Sequence, residues 1–370
     1  MKMLQILPFR FWGGPEIQTF QLAAQLKKES GANTDLILYV SPQSTESDQK
    51  LVQQKALEYN LTVILRPSPF LLNIFSERRF LAKTLREHNI DLAVSTGYLC
   101  DLLLVGQKIK KISIVHGWTA QNLKVRIYEA LDRFLLNFFD TIACVSLQQK
   151  QKIKNLGLQA HLLSNSLDLD KKMTKPLAKD SLLKTLNLAG SVKLFLSVGR
   201  LSAEKGHAFA IQSFAKTAFE KNNLHWIFIG DGPELLSLQK LTTNLNLSSR
   251  IHFIGKIDHA RSYMSAVDFF ILPSRREGLP VVLLEAFAES CPVIATEVGG
   301  NGELVLHKKT GLLTQYNDSH DLADQLTWAI AHPEKMSEYA TQAKAHLKNN
   351  FSLQKQTEQW QEIIRYALSR

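Results

Sequence analysis

Short apolar runs alternate with amphipathic stretches along almost the whole chain. In the first half, the amphipathic stretches at 17–28, 77–88 and 125–139 predict helices, because their apolar residues recur at helical spacing. The apolar runs predict seven strands: Leu4–Leu7, Leu36–Val40, Thr62–Leu65, Leu92–Val94, Ser113–Val115, Thr141–Val145 and His161–Leu163. Strand–helix alternation of this kind indicates a parallel sheet with helices on both faces.

A polar, lysine-rich segment at 168–193 interrupts the alternation, and we place a domain boundary there. The pattern then restarts, with strands predicted at Lys193–Val198, Trp226–Ile229, Ile251–Ile254, Phe269–Leu272 and Val293–Ala295. Helices are predicted at Gly206–Glu220, Leu235–Leu245, Val281–Glu289 and Leu322–Ile330, followed by two or three more in the tail from 333 to 370. We expect an α/β protein of two doubly wound domains, residues 1–175 and 190–353, that face each other across a cleft. Ligands should bind at the carboxyl ends of the strands.

The charge of the chain is unevenly distributed. Of its net charge of +10, residues 1–190 carry +9, from 25 Lys/Arg and 16 Asp/Glu. Such a surface is either simply solvated or attracts a polyanion, and without a nucleic-acid-binding signature an anionic membrane is favoured over nucleic acid. No apolar run approaches the roughly 18 residues that cross a bilayer. The N-terminus lacks a signal-peptide pattern and the three cysteines are widely spaced, so a cytoplasmic protein is expected.

Two features in the first half are candidates for ligand contact. Gly13 and Gly14 lie between the first strand and a helix, but the third glycine of a dinucleotide-binding motif is absent, and the chain has no P-loop. The pair either lets the backbone approach a phosphate or sugar or forms a simple turn. His116 follows the strand Ser113–Val115 and is either a ligand contact or a structural residue.

Arg200 and Lys205 lie between a strand and a helix of the second half, five residues apart. A fork-shaped cation and a point cation at the carboxyl end of a strand suit a diphosphate. The alternative is a pair of surface charges, with Glu204 pairing locally to one of them.

The strongest signal is the segment 274–288. Glu277 is predicted in a loop at the ligand edge of the sheet, and Gly278 would leave its N–H free beside a helix N-terminus that favours anions. Glu285 is embedded in an otherwise apolar helix, and a buried carboxylate must find partners. It either bonds neighbouring backbone or faces a ligand, and the two carboxylates suit a sugar and a ribose on either side of a phosphate.

Together these segments resemble the retaining GT-B glycosyltransferases of the family four type (glycosyl transferases group 1), which include sucrose synthases and bacterial mannosyl- and glucosyltransferases. The most specific parts are Val198–Gly206, the E-x7-E pair Glu277/Glu285, and 292–296 leading to Gly299-Gly300. The resemblance covers nearly the whole chain. Pro15 and the sequence 289–291 depart from the family pattern, and the first leaves the acceptor geometry open.

The resemblance implies a role for each candidate residue. Arg200 and Lys205 would neutralise the leaving diphosphate, Glu277 would hold the hydroxyls of the donor sugar, and His116 would line the sugar site. The remaining donor contacts would be Gly13, Gly14, Lys256, Ile257, Gly278, Leu279 and Glu285, with Glu285 on the ribose and Lys256 and Ile257 near the base. The resemblance also implies that the C-terminal helix, at about 354–370, packs back on the first domain. No metal or other cofactor is expected, because Arg200 and Lys205 would take the place of a divalent ion; the Asp-x-Asp sequence at 168–170 lies in the polar segment between the predicted domains.

The implied activity is transfer of a sugar, such as a hexose, from a UDP- or GDP-sugar to a glycan or lipid-linked acceptor. Retention of anomeric configuration comes with the family, and we expect attack on the face that the leaving group departs from. Bacterial cell-surface polysaccharide, lipopolysaccharide or glycolipid synthesis is the expected setting, in the cytoplasm or peripherally on the inner membrane. Basic apolar stretches at 70–79 and 124–139 would then contact the anionic leaflet, unless 131–139 is core. The alternatives are a nucleotide-sugar epimerase and a sugar-binding protein without catalysis; an oxidoreductase is opposed by the missing glycine pattern.

Overall fold

A computed structural model of the protein describes residues 1–10, 12–31, 33–42, 44–68, 73–118, 123–169, 176–217, 223–257 and 259–369. The chain forms two compact units: Met1–Ser166 together with Leu353–Arg370, and Leu167–Ser352. The first unit ends nearer the N-terminus than the predicted border at residue 175. The segment from 176 to 189, which the sequence left between the domains, belongs to the second unit because Lys179 bonds Asp268 at 2.5 Å.

The first unit contains a seven-stranded parallel sheet in the order β3-β2-β1-β4-β5-β6-β7. The strands are β1 Lys2–Phe9, β2 Asn33–Val40, β3 Thr62–Pro67, β4 Leu92–Thr96, β5 Lys110–Val115, β6 Thr141–Cys144 and β7 His161–Leu162. Its helices are α1 Gly14–Ser30, α2 Glu46–Glu58, α3 Ile74–Glu87, α4 Tyr98–Leu104, α5 Leu123–Leu135, α6 Leu147–Lys154 and, from the C-terminus, α15 Leu353–Ser369. The predicted helix 125–139 is therefore α5 followed by a single 3₁₀ turn, Leu136–Phe138.

The second unit contains a six-stranded parallel sheet in the order β10-β9-β8-β11-β12-β13. Its strands are β8 Val192–Val198, β9 Asn223–Ile229, β10 Ile251–Phe253, β11 Phe269–Leu272, β12 Val293–Thr296 and β13 Leu312–Thr314. Its helices are α7 Lys179–Thr185, α8 His207–Phe214, α9 Leu235–Asn244, α10 Arg261–Met264, α11 Val281–Ala288, α12 Asn301–Leu304, α13 Ser319–Ala331 and α14 Pro333–Asn350. The end of the predicted helix Gly206–Glu220, from 218 onwards, lies outside the described residues.

Helix α15 is held to the first unit by apolar packing and by a buried amide network. Trp360 is 2% exposed and packs in the core beneath β1, β4 and β5. Gln356 donates to the Ser164 carbonyl oxygen at 2.8 Å and to Gln18 Oε1 at 3.1 Å, while the Ser166 N–H donates to the same Gln18 oxygen at 2.7 Å. Because each buried amide group finds a partner, the network fixes the position of α15 on α1 and the segment 164–166.

Candidate active site

Both sheets change winding direction next to their first strand. In the second unit, β9 and β10 lie on one side of β8, whereas β11, β12 and β13 lie on the other. The connections that leave β8 and β11 therefore diverge and open a crevice at their carboxyl ends, where α/β proteins bind ligands. Arg200 and Lys205 follow β8, and Glu277 follows β11, so the fold brings these predicted residues to one edge of the sheet.

The loops after β8 and β11 are packed directly on each other. Gly206 has φ of 66°, and a Cβ at this position would lie 2.1 Å from the Pro273 carbonyl oxygen, so only glycine fits. The Arg275 N–H donates to the Glu204 carbonyl oxygen at 2.8 Å. These backbone contacts hold the cationic loop and the loop of Glu277 in fixed positions.

Lys205 and Glu277 form an ion pair. Lys205 Nζ donates to Glu277 Oε1 at 2.7 Å, and the two side chains are only 23% and 9% exposed. Ser274 Oγ donates to the same carboxylate oxygen at 2.6 Å. Glu204 instead accepts from the Ser202 hydroxyl at 2.7 Å, which contradicts the alternative that Glu204 pairs with a neighbouring cation.

A double-glycine turn after β12 supports the backbone of Glu277 and Gly278. Gly299 has φ of 56°, and a Cβ there would lie 1.9 Å from the Glu277 carbonyl oxygen. The Gly300 N–H donates to the Gly278 carbonyl oxygen at 2.7 Å. Leu279 is buried beside this turn and leads into α11. The side-chain-free turn therefore lets the backbones of the two loops meet.

The predicted base-binding residues lie farther along the same edge. Lys256 is exposed and Ile257 is half-buried, and both follow β10, which is separated from β8 by β9. Arg200 is half-buried, and its carbonyl oxygen lies 3.3 Å from His207 Nε2. The structure thus places Arg200, Lys256 and Ile257 on the same edge of the sheet as Lys205.

Glu285 lies on α11 among apolar residues. Burial raises the pKa of its carboxyl to about 7; the nearby Arg261 opposes this rise and Glu289 adds to it. Arg261 bonds Glu289 instead, through Nε at 2.9 Å and Nη2 at 2.7 Å. Within the described part of the chain the Glu285 carboxylate makes no hydrogen bond, so the alternative in which it bonds neighbouring backbone is not observed there. A carboxylate without a hydrogen-bond partner in the protein can accept hydrogen bonds from the hydroxyl groups of a ligand.

The glycine pair of the first unit has a local role. Gly13 is the N-cap of α1 with an extended backbone, and its N–H donates to Glu16 Oε2 at 3.1 Å. Gly14 is the first residue of the helix, and Pro15 follows. Burial raises the pKa of the Glu16 carboxyl to about 7. Because the Gly13 N–H already has an acceptor, the pair forms a capped strand-to-helix turn in this structure.

His116 follows β5 and lines a small pocket within the first unit. The other lining residues include Gln5, Gln18, Thr19, Asn165 and Gln356. Burial lowers the pKa of the His116 imidazole to about 4, so the ring is neutral at physiological pH. Among the described residues neither ring nitrogen forms a hydrogen bond.

Three further features were not anticipated from the sequence: the hydroxyl of Ser274, the Arg261–Glu289 pair and the amide network around Gln356. A serine three residues before a glutamate is a recognisable local bonding pattern, so Ser274 could have been found. In the ranges that the structure covers, no three His, Cys, Asp or Glu side chains converge as ligands of a metal ion. Nor does any helix in those ranges have the length and apolarity that crossing a membrane requires.

Two family models and several curated proteins match this chain. Residues 179–346 match the model of the family "Glycosyl transferases group 1", and residues 12–171 match "Glycosyltransferase Family 4". The N-acetyl-alpha-D-glucosaminyl L-malate synthase of Bacillus anthracis is 26% identical over 264 residues, which are 70% of this chain and 68% of that protein. The UDP-Gal:alpha-D-GlcNAc-diphosphoundecaprenol alpha-1,3-galactosyltransferase of Escherichia coli is 25% identical over 264 residues, 68% of each chain.

Solved structures share the fold over the full length. HepE of Anabaena, crystallised with UDP, superimposes with a TM-score of 0.83 and 20% identity, covering 99% of this chain and 100% of HepE. The matched families are glycosyltransferases, and they give no support to the epimerase alternative. Two parallel α/β sheets, the charged residues at the switch point of the second sheet and the two family matches lead to one conclusion: the chain is a glycosyltransferase that belongs to the GT-B enzymes of the group 1, family four type.

Proposed function

We propose that the enzyme transfers a sugar from a nucleoside diphosphate donor to a glycan or lipid-linked acceptor with retention of anomeric configuration. The proposed sugar is a hexose. The observation that carries the proposal is the Lys205–Glu277 pair at the carboxyl edge of β8 and β11. UDP is the favoured nucleotide because HepE was solved with UDP and the name of the Escherichia coli relative contains UDP-Gal. GDP is the second candidate. Cell-surface polysaccharide or lipopolysaccharide synthesis is the proposed setting, since that relative acts on a lipid-linked sugar.

The proposed chemistry follows from charge. Breaking the bond between sugar and diphosphate leaves an anionic group and an electron-poor sugar carbon. Arg200, Lys205 and the N-terminus of α11 stabilise the anion, and this preorganised positive charge does the work of a divalent ion. Glu277 accepts hydrogen bonds from hydroxyl groups of the donor sugar, and Glu285 accepts hydrogen bonds from those of the ribose. The acceptor attacks from the face that the diphosphate leaves.

A transfer assay tests this proposal. The purified enzyme is incubated with UDP-glucose, UDP-galactose, UDP-N-acetylglucosamine or GDP-mannose, with and without a short-chain lipid carrying α-N-acetylglucosaminyl diphosphate. We expect nucleoside diphosphate release that depends on the acceptor, and an α-linked product from an α-linked donor by NMR. An isomerised donor sugar without acceptor would support an epimerase instead. A β-linked product would contradict retention.

We further propose that the enzyme works on an anionic membrane surface, through helix α5. The side chains of Ile127, Leu131, Phe134 and Phe138 are 60%, 36%, 61% and 47% exposed. Their spacing of four, three and four residues places them in one stripe along α5 and the following turn. The rival interpretation of 131–139 as core holds for the buried Leu135 and Leu136, but not for this stripe, which we call the α5 stripe.

The charge of the neighbouring helices favours an anionic partner for the α5 stripe. Arg79 and Arg86 on α3 and Arg126 on α5 are exposed, and none has a salt bridge within the described residues. The acidic residues of α4 and α5 are buried instead: Asp101, Glu129 and Asp132. Each basic residue near a charged leaflet contributes about 1 kcal/mol to binding. The predicted apolar residues 70–72 and the side chain of Lys124 lie outside the described residues.

Vesicle sedimentation tests the membrane proposal. Binding to vesicles with an anionic lipid should exceed binding to neutral vesicles and should fall as salt shortens the Debye length. Ile127→Ser with Phe134→Ser should reduce binding, whereas Leu57→Ser on α2, where the side chain is 82% exposed, serves as the matched control. If the wild type stays in the supernatant with anionic vesicles at low salt, the membrane proposal is wrong. If the Ile127→Ser, Phe134→Ser variant binds vesicles as well as wild type but is a monomer where the wild type is a dimer, the α5 stripe binds a second copy of the chain instead.

A further inference from the structure

Ser274 is held in place by the sheet itself. It is fully buried and is the second residue after β11. Thr296 on β12 donates from Oγ1 to the Ser274 carbonyl oxygen at 2.5 Å. The backbone of Ser274 is therefore tied to β12 by the Thr296 side chain. Because Ser274 is fully buried, a nucleotide sugar cannot contact it directly. Any effect of Ser274 on the reaction must therefore pass through a neighbouring residue.

That neighbour is Glu277. Ser274 Oγ and Lys205 Nζ donate to the same oxygen, Oε1, at 2.6 and 2.7 Å. Within the part of the chain that the structure covers, the second oxygen, Oε2, makes no hydrogen bond. The two oxygens of the carboxylate thus have different tasks, because one is satisfied by the protein and the other remains an acceptor. A carboxylate that is only 9% exposed has lost most of its contact with water, and these two donors replace part of that hydration.

We propose that Ser274 is a positioning residue for Glu277: its hydroxyl, together with Lys205, fixes Oε1 so that Oε2 is presented to a hydroxyl of the donor sugar. The inference rests on the proposed function, since it needs a nucleotide sugar in this crevice. Without the Ser274 hydroxyl, Lys205 alone would hold the carboxylate, and one flexible four-carbon side chain fixes a rotation poorly. The diphosphate contacts, made by Arg200 and Lys205, do not involve Ser274.

The test compares the affinities for UDP and UDP-glucose by calorimetry, because their ratio isolates the contribution of the sugar. Ser274→Ala should leave UDP affinity within about twofold of wild type and should weaken UDP-glucose binding about tenfold, the scale of one charge-assisted hydrogen bond. In a Glu277→Ala background the same Ser274→Ala change should cost nothing further, because the acceptor through which Ser274 acts is already absent. Ser274→Cys keeps the shape with a weak donor and should give an intermediate loss.

Ser213→Ala is the matched control. Ser213 is also fully buried in the second unit, but its hydroxyl bonds only the Phe209 carbonyl oxygen of its own helix at 2.9 Å. It should leave the ratio of the two affinities unchanged. Equal weakening of UDP and UDP-glucose by Ser274→Ala, or the same extra loss in the Glu277→Ala background, would overturn the positioning role. If the wild type binds neither UDP nor GDP, the donor proposal itself fails and the inference fails with it.

Discussion

Replacing Glu285 with glutamine should stabilise the second unit at alkaline pH while it weakens nucleotide binding. Burial raises the carboxyl pKa from 4.5 to about 7, so the folded unit keeps the proton that the unfolded chain has already lost. The stability is fully present below pH 4.5 and is lost as the pH rises through about 7. At pH 8 this cost is about 3 kcal/mol, and at pH 5 it is under about 1 kcal/mol. A glutamine side chain carries no charge, so the variant does not have this unfavourable contribution to its free energy of folding.

Thermal unfolding at two pH values measures the effect. For a domain of this size about 1 kcal/mol shifts Tm by roughly 2–4 °C, so Glu285→Gln should raise the Tm of the second unit by roughly 5–10 °C at pH 8 and by much less at pH 5. Glu289→Gln is the matched control on the same helix end, and it should lower Tm because it breaks the ion pair with Arg261. An equal Tm change for Glu285→Gln at both pH values, or no gain at pH 8, would refute the reasoning.

Three other changes follow from the same geometry. UDP affinity of the wild type should rise between pH 6 and 8, as Glu285 loses its proton and can accept ribose hydroxyls, and calorimetry of Glu285→Gln should show no such rise. Arg200→Ala and Lys205→Ala should each lower turnover about 100-fold in a transfer assay, but only Lys205→Ala should also lower Tm, because it leaves Glu277 without its ion-pair partner. Gly299→Ala should abolish most turnover, since its Cβ would displace the Glu277 backbone, and near-normal activity would contradict that contact.

Strand positions could be predicted because buried strands of parallel sheets are continuous apolar runs between amphipathic helices. All twelve predicted strands appear, and β13, at the edge of the second sheet, is the strand that the prediction missed among the described residues. Helix α7 escaped prediction because its single buried apolar residue, Leu182, gives no helical period. Helix α5 has apolar residues at helical spacing on two of its faces. The sequence therefore could not show which of the two faces is buried.

The sequence predicted which loops form the site, but not the contacts between their side chains. The order of strands puts residues after β8 and β11 on one edge, and the sequence motifs identify Arg200, Lys205 and Glu277. The convergence of Lys205 and Ser274 on one oxygen depends on two loops that are far apart in the chain and packed backbone to backbone. The unbonded state of Glu285 depends on Arg261 bonding Glu289, a choice between two nearby carboxylates that spacing does not reveal.

The central claim is that a nucleoside diphosphate sugar binds at the carboxyl edge of the second sheet, in the crevice between β8 and β11. Amide hydrogen exchange with and without saturating UDP tests it most directly, because it locates binding without any knowledge of the acceptor. The account predicts protection concentrated in peptides that cover 197–206 and 274–289, with a smaller effect in the same peptides for Arg200→Ala. Protection elsewhere, for example only in peptides of the first unit, or no protection at any concentration of UDP, GDP or ADP, would contradict it.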